Sequence, residues 1–188
     1  MLTPFYLTLL VCSLVSFGSV YLFTPWFIRY LRKIGVEVRD MNKPTKPLVP
    51  LSGGLLVFGG FFLSMMLFLF IAYFVFPEHD SLLPRDSLHY LFAGLMSIFI
   101  ITLVGFLDDL VITPTREVSI GLRQWQKPLL TLPAAVPLMA VNAGVGVMAL
   151  PFFGHVNFGI LYPLLLIPLG VVGASNMVNM LAGFNGME

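Results

Sequence analysis

The chain has 188 residues, of which 58% are hydrophobic and only 10% charged, and its formal net charge is +1. Soluble domains carry about 25% charged residues, so a mean hydropathy of +0.95 excludes a soluble globular domain. The charges are also segregated: none occurs over residues 1–28, 47–77, 87–107 or 128–187.

A helix needs roughly 20 apolar residues to cross the hydrocarbon core. The first three uncharged runs therefore hold one span each, and the fourth is long enough for two. Pro151, Gly154, His155 and Asn157 interrupt the fourth run and would be costly against lipid, so a loop is expected there. The expectation is an all-α integral membrane protein forming a single membrane domain, with about five transmembrane helices near residues 5–27, 51–76, 91–107, 129–150 and 160–177.

In the first run no basic residue precedes the apolar stretch, and Arg29, Arg32 and Lys33 follow it. That is the reverse of a cleavable signal peptide, so a retained helix is expected. The lone Cys12 lies in this span and can form no disulfide within the chain.

Basic residues in short loops stay on the cytoplasmic side. The first loop carries Arg29, Arg32, Lys33, Arg39, Lys43 and Lys46, and the third carries Arg116, Arg123 and Lys127. The second has only Arg85, among Glu78, Asp80 and Asp86, and the fourth has none. The N-terminus is thus expected outside and the end of the fifth helix in the cytoplasm. His79, His89 and His155 would lie outside. Asp40, Asn42, Lys43, Asp108, Asp109, Lys127, Asn176, Asn179 and Asn185 would all share the cytoplasmic face, as an active site there requires.

Asp108 and Asp109 end the third span. Adjacent carboxylates repel, and each costs roughly 2.5–3.5 kcal/mol at full membrane depth. A cation would relieve both costs, and hard oxygen ligands that leave room for water and a substrate phosphate suit Mg²⁺. The alternative is that the pair only marks where the helix leaves the membrane. Asn176 and Asn179 are three apart and share a helix face, and Gly183 and Gly186 would end that helix and allow close backbone approach. Interhelical hydrogen bonding with a C-terminal cap is the plainer reading of the same residues. Lysines at an inner membrane boundary are expected from anionic lipid alone, at about 1 kcal/mol each. Glycines 53, 54, 59 and 60 could serve close helix packing.

The string Asn176-Met-Val-Asn179-Met-Leu-Ala182-Gly183-Phe-Asn185-Gly186-Met-Glu188 resembles the N-x-x-N-x-L-A-G-x-N-G-x-E signature of the polyprenyl-phosphate N-acetylhexosamine-1-phosphate transferases, in their eukaryotic and archaeal branch. Gly105-Phe106-Leu107-Asp108-Asp109 is similar to the family's G-F-x-D-D motif. Asp40-Met41-Asn42-Lys43, with Pro50 and Gly53-Gly54, resembles its first cytoplasmic loop and the glycine-rich start of its second helix. Gly121-Leu122-Arg123-Gln124-Trp125-Gln126-Lys127 resembles the basic segment opening its fourth helix, although the stretch from Asp109 to Gly121 has a length nearer that of the bacterial muramoyl-pentapeptide branch.

The resemblance implies transfer of N-acetylglucosamine-1-phosphate, or a related sugar-1-phosphate, from a UDP-sugar to a polyprenyl or dolichyl phosphate with release of UMP. It implies Mg²⁺ or Mn²⁺, with Asn179 and Asp108 as metal residues and Asp108, Asp109 and Lys127 as catalytic ones. Asp40, Asn42, Lys43, Asn176 and Asn185 would bind substrate, Asn185 on the uracil side. The membrane would be the plasma membrane of an archaeon or bacterium, or the endoplasmic reticulum. The family typically has about ten spans, so this chain matches an N-terminal half, and a missing C-terminal half or a second copy would complete the site.

Two readings from other classes stay open. A transporter or channel segment would use the aspartates for a translocated cation, but it predicts carboxylates near mid-membrane and a repeat. A non-catalytic membrane subunit would use its helices only to support a partner. No nucleic-acid motif, haem motif or cysteine cluster occurs in the sequence.

Overall fold

The computed structural model describes residues 2–40, 43–76, 83–111 and 121–181, the side chains of residues 2–3 and 179–181 excepted. The chain is mostly helical and divides into two compact units. Unit one comprises Met1–Leu88 with Gly105–Gly121, and unit two comprises His89–Val104 with Leu122–Glu188.

Unit one begins with helix α1, Leu2–Lys33. In an apolar medium every polar group needs a partner within the protein, and several hydroxyls of α1 find theirs on their own helix. Thr8 Oγ1 donates to Pro4 O at 2.8 Å, Ser13 Oγ to Leu9 O at 2.8 Å, and Thr24 Oγ1 to Val20 O at 2.6 Å. A short antiparallel hairpin follows, β1 (Glu37–Arg39) and β2 (Leu48–Pro50), with Val38 opposite Val49. Helix α2, Gly53–Phe70, continues through one π-helical stretch, Ile71–Val75.

Small residues set the approach of α1 to α2, as expected where lipid provides no hydrophobic drive between helices. A Cβ added at Gly60 would lie 2.5 Å from Val20 Cγ2 and 3.2 Å from Ser16 O. Ser64 Oγ donates to Cys12 O at 2.8 Å across the same seam, with both residues buried.

Helix α3, Leu88–Val111, follows a 3₁₀ turn at Arg85–Ser87. Among the described residues three helical segments are long and apolar enough to cross a membrane: Pro4–Lys33, Gly53–Val75 and Arg85–Val111. At most 17% of their apolar windows is buried. Phe17, Leu22 and Phe74 are at least 70% exposed, a surface that water would not tolerate over such an area and that lipid solvates. The expected first three spans are thus present as helices, the first and third extending beyond their predicted limits at both ends and the second lying within them. His79 lies outside the described residues.

Unit two departs from the expected pattern. Residues 129–150 were expected to form one span, but the chain forms α4 (Gln126–Thr131), a 3₁₀ turn (Leu132–Ala135) and α5 (Val136–Ala140), and helix then stops. Fifteen residues of helix rise only about 22 Å, short of the roughly 30 Å hydrocarbon thickness. The physical cause is local: Asn142 and Gly144 take φ of 47° and 107°, a left-handed geometry that ends a helix.

Val147–Leu150 then forms β3, paired antiparallel with β4, Gly154–Asn157. The loop expected at Pro151, Gly154, His155 and Asn157 is the turn and return strand of this hairpin. The two hairpins are additions to the all-α expectation. Tyr162 anchors the second one: its hydroxyl donates to Ala143 O and accepts from Val145 N, both at 3.1 Å. Gly144 lies against the same hydroxyl, where no side chain would fit. A π-helical turn, Tyr162–Leu166, leads into α6, Ile167–Leu181. Ala135, Tyr162 and Ile167 form the buried core of this unit, with Leu138, Met139 and Val171 packed on it.

Candidate active site

The third helix carries its two carboxylates in its final described turn. Consecutive helical residues diverge by about 100° around the axis, so Asp108 and Asp109 address different neighbours within unit one. Asp109 Oδ2 accepts a 2.8 Å hydrogen bond from Ser52 Oγ. Ser52 is the residue before α2; it is buried and holds φ 61°, ψ 25°, a left-handed conformation uncommon for a residue with a Cβ. Asp108 faces Gly121, where an added Cβ would collide with its Oδ1 and lie 3.1 Å from its Cγ. Glycine at 121 therefore lets the chain close over that carboxylate.

The first loop leads into the same arrangement. Asp40 Oδ2 and Lys43 Nζ form a 3.3 Å ion pair, with the aspartate largely covered and the lysine exposed. The turn around them is closed by Asp40 N donating to Pro47 O at 2.9 Å and Lys46 N donating to Lys43 O at 3.0 Å. Strand β2 then runs directly to Ser52. Asn42, between the two charged residues, lies outside the described residues.

In unit two, Lys127 occupies the first turn of α4 and is half-buried. The turn is held by Arg123 N donating to Gln126 Oε1 at 2.9 Å. One turn on, buried Thr131 donates from Oγ1 to Lys127 O at 3.0 Å, and its oxygen accepts from Asn176 Nδ2 at 3.1 Å. Asn176 Nδ2 also donates to Val172 O at 2.8 Å. The amide of Asn176 thus ties α6 to the turn that carries Lys127, which is the interhelical role that an asparagine in an apolar helix is expected to fill. Asn179 lies on α6 with its side chain outside the described residues, and Asn185, Gly183 and Gly186 lie outside them altogether.

The sequence did not single out Ser52 or Thr131, and it gave Gly121 no role of its own. Ser52 precedes the Gly53-Gly54 pair and Gly121 opens the basic segment, so both sat inside recognised motifs; Thr131 carried no signal. Among the described residues no group of three or more His, Cys, Asp or Glu side chains could hold a metal ion. The oxygen donors fit Mg²⁺ nonetheless, since that ion commonly takes one or two carboxylates and fills its remaining positions with water and substrate phosphate.

The profile of glycosyl transferase family 4 matches residues 91–188. A Saccharolobus solfataricus protein, provisionally named UDP-N-acetylglucosamine–dolichyl-phosphate N-acetylglucosaminephosphotransferase, is 33% identical over 183 residues, covering 96% of this chain and 50% of the relative. A Schizosaccharomyces pombe protein named for that activity is 28% identical over 94% of this chain and 43% of its own length. A Streptococcus suis phospho-N-acetylmuramoyl-pentapeptide-transferase is 33% identical over 95% of this chain and 52% of its own. The chain spans about half the length of these curated relatives. With the family profile matched over more than half its residues, the chain belongs to glycosyl transferase family 4.

Proposed function

We propose that this chain is the N-terminal half of a membrane phosphoglycosyltransferase, moving N-acetylglucosamine-1-phosphate from its UDP-sugar to a polyprenyl or dolichyl phosphate and releasing UMP. The observation that carries the proposal is the match over 96% of the chain to the Saccharolobus solfataricus relative provisionally named for this activity. The N-terminus lies outside and the active face is cytoplasmic; the concentration of basic residues in the first and third loops supports this orientation.

The reaction joins two anions. The lipid phosphate attacks the sugar-bearing phosphorus of the diphosphate, the phosphoanhydride bond breaks, and UMP departs with its electron pair. Phosphate monoesters have a second pKa of about 6, so at neutral pH the nucleophile is already mostly ionised and no strong general base is needed. The principal task is to hold the reactants in line and offset their charge. Lys127, fixed by the turn that Thr131 and Asn176 brace, supplies positive charge to a phosphate, and Lys43 supplies a second. Asp109, held by Ser52, orients the end of α3, and Asp108 keeps its position under Gly121. Asn185 reads the uracil, and Asp40, Asn42 and Asn176 shape the substrate-binding surface.

Asp108 and Asn179 are the residues that would hold a divalent cation, which when bound screens the diphosphate charge. The other half of the site belongs to a C-terminal half.

The proposal is tested by measuring UMP release from UDP-N-acetylglucosamine with a polyprenyl phosphate acceptor. The chain is assayed alone and then co-expressed with the C-terminal half of the Saccharolobus solfataricus relative. Turnover only on co-expression is expected. Turnover by the chain alone at ordinary enzyme rates contradicts the half-enzyme, and none in either arm contradicts the activity.

A further inference from the structure

Helices α1 and α2 touch at one level and part beside it. At Gly60 there is no room for a Cβ, whereas at Gly59 the position a Cβ would take is open for 4 Å. There a groove of about 290 Å³ lies between the helices, walled by Phe23, Trp26 and Phe27 on one side and Leu56 and Leu63 on the other, with Gly59 between. Ser19 is the one lining residue with a hydroxyl, and that hydroxyl donates to Ser16 O at 2.9 Å. The groove therefore presents hydrocarbon. A helix with its side chains is about 10 Å across, too wide for this volume, whereas a single alkyl chain is slender enough.

The groove has a charged end. Ser19, Phe23 and Trp26 follow helical spacing along α1, and the same stripe continues one and two turns on to Arg29, Tyr30 and Lys33. Tyr30 stacks on Trp26, with ring centroids 5.7 Å apart and planes 11° apart, and all four of these side chains are exposed. Arg29 is steadied by its Nε donating to Pro25 O at 3.2 Å. An apolar slot is thus followed along one face by two aromatic rings and two cations, the order in which a phospholipid presents its acyl chain, its glycerol region and its phosphate.

We propose that this groove binds one acyl chain of an anionic glycerophospholipid of the surrounding membrane, with the headgroup phosphate against Arg29 and Lys33. The site is separate from the residues assigned to transfer, and it stands or falls independently of that activity.

The chain has two tryptophans, so a Trp125→Phe variant leaves Trp26 as the reporter inside the groove. The variant is reconstituted into phosphatidylcholine vesicles containing a minor fraction of chain-brominated phosphatidylglycerol or, separately, chain-brominated phosphatidylcholine. Bromines quench a neighbouring indole, and the anionic lipid is expected to quench at about fivefold lower mole fraction, the preference that about one basic residue's attraction provides. Adding Arg29→Gln and Lys33→Gln should erase the preference. Adding Gly59→Leu instead, whose side chain enters open space, should reduce quenching by both lipids at unchanged helix content.

Equal quenching by the two lipids, or a preference that survives loss of both cations, overturns the proposal. Quenching by neither lipid would show the groove covered by protein and overturns it also. Relief of quenching by polyprenyl phosphate at lower mole fraction than by unbrominated phosphatidylglycerol would assign the groove to the substrate lipid instead.

Discussion

Ser52 and Asp109, 57 residues apart in sequence, are joined by a 2.8 Å hydrogen bond from Ser52 Oγ to Asp109 Oδ2. The bond fastens the start of α2 to the last turn of α3. Hydrogen bonds to charged groups contribute about 1.5–3 kcal/mol, and here the donor is held in a left-handed backbone conformation. Ser52→Ala should therefore lose stability on that scale. Ser52→Gly should lose less, because glycine adopts that conformation freely. In the assembled enzyme both should lower turnover alike, since both remove the Ser52 hydrogen bond from Asp109. Urea unfolding and UMP release measured on the two variants check this; equal stability loss in both would remove backbone strain from the account.

Gly121 is where the chain closes over Asp108. A methyl group there overlaps Asp108 Oδ1, and the carboxylate can swing aside, so Gly121→Ala should fold normally while losing about tenfold in turnover, or roughly 1.4 kcal/mol in the barrier. The expected signature is an unchanged unfolding midpoint with reduced kcat. A variant as active as the parent would show that the position of Asp108 is immaterial.

Charge neutralisation at the end of α3 gives a third expectation. In the complete enzyme activity should require Mg²⁺ or Mn²⁺, and Asp108→Asn or Asp109→Asn should each reduce turnover by at least about tenfold. Titration with EDTA followed by metal add-back measures the first, and steady-state kinetics the second. Full activity of both variants in excess EDTA would rule metal assistance out.

Orientation is open to direct chemistry. In a Cys12→Ala background, a cysteine at position 43 should resist an impermeant thiol reagent added outside and react once the cytoplasmic face is opened, while a cysteine at position 155 should react from outside. Labelling of position 43 from outside would reverse the topology and remove nucleotide-sugar access from the cytoplasm.

What the sequence could disclose depended on the range of the interaction. Helices α1 to α3 follow from uncharged runs of spanning length, because a helix satisfies its own backbone hydrogen bonds in a bilayer. The carboxylates of Asp108 and Asp109 were visible as an adjacent acidic pair at a helix end, and the shared face of Asn176 and Asn179 followed from spacing. The Ser52 partner of Asp109 was not visible, since nothing local to either residue encodes a contact across 57 positions. The fourth span was misjudged for a different reason. Counting uncharged residues gave no weight to Asn142, Gly144 and Gly146, and β3, Val147-Met-Ala-Leu150, is apolar throughout, so it lacks the alternation that marks a strand. Gly59 and Gly60 look identical in sequence and both line the groove, yet an added Cβ would meet α1 at Gly60 and open space at Gly59.

The central claim is that a sugar-1-phosphate is transferred, and not the sugar alone. UDP-N-acetylglucosamine labelled with ³²P at the sugar-bearing phosphorus, incubated with the chain, its C-terminal complement, a divalent metal and polyprenyl phosphate, follows the bond that breaks. The account predicts that label moves into the organic phase as a lipid-linked diphosphate while unlabelled UMP accumulates in equal amount. Label retained in water as UDP, with an unlabelled sugar on the lipid phosphate, would contradict it.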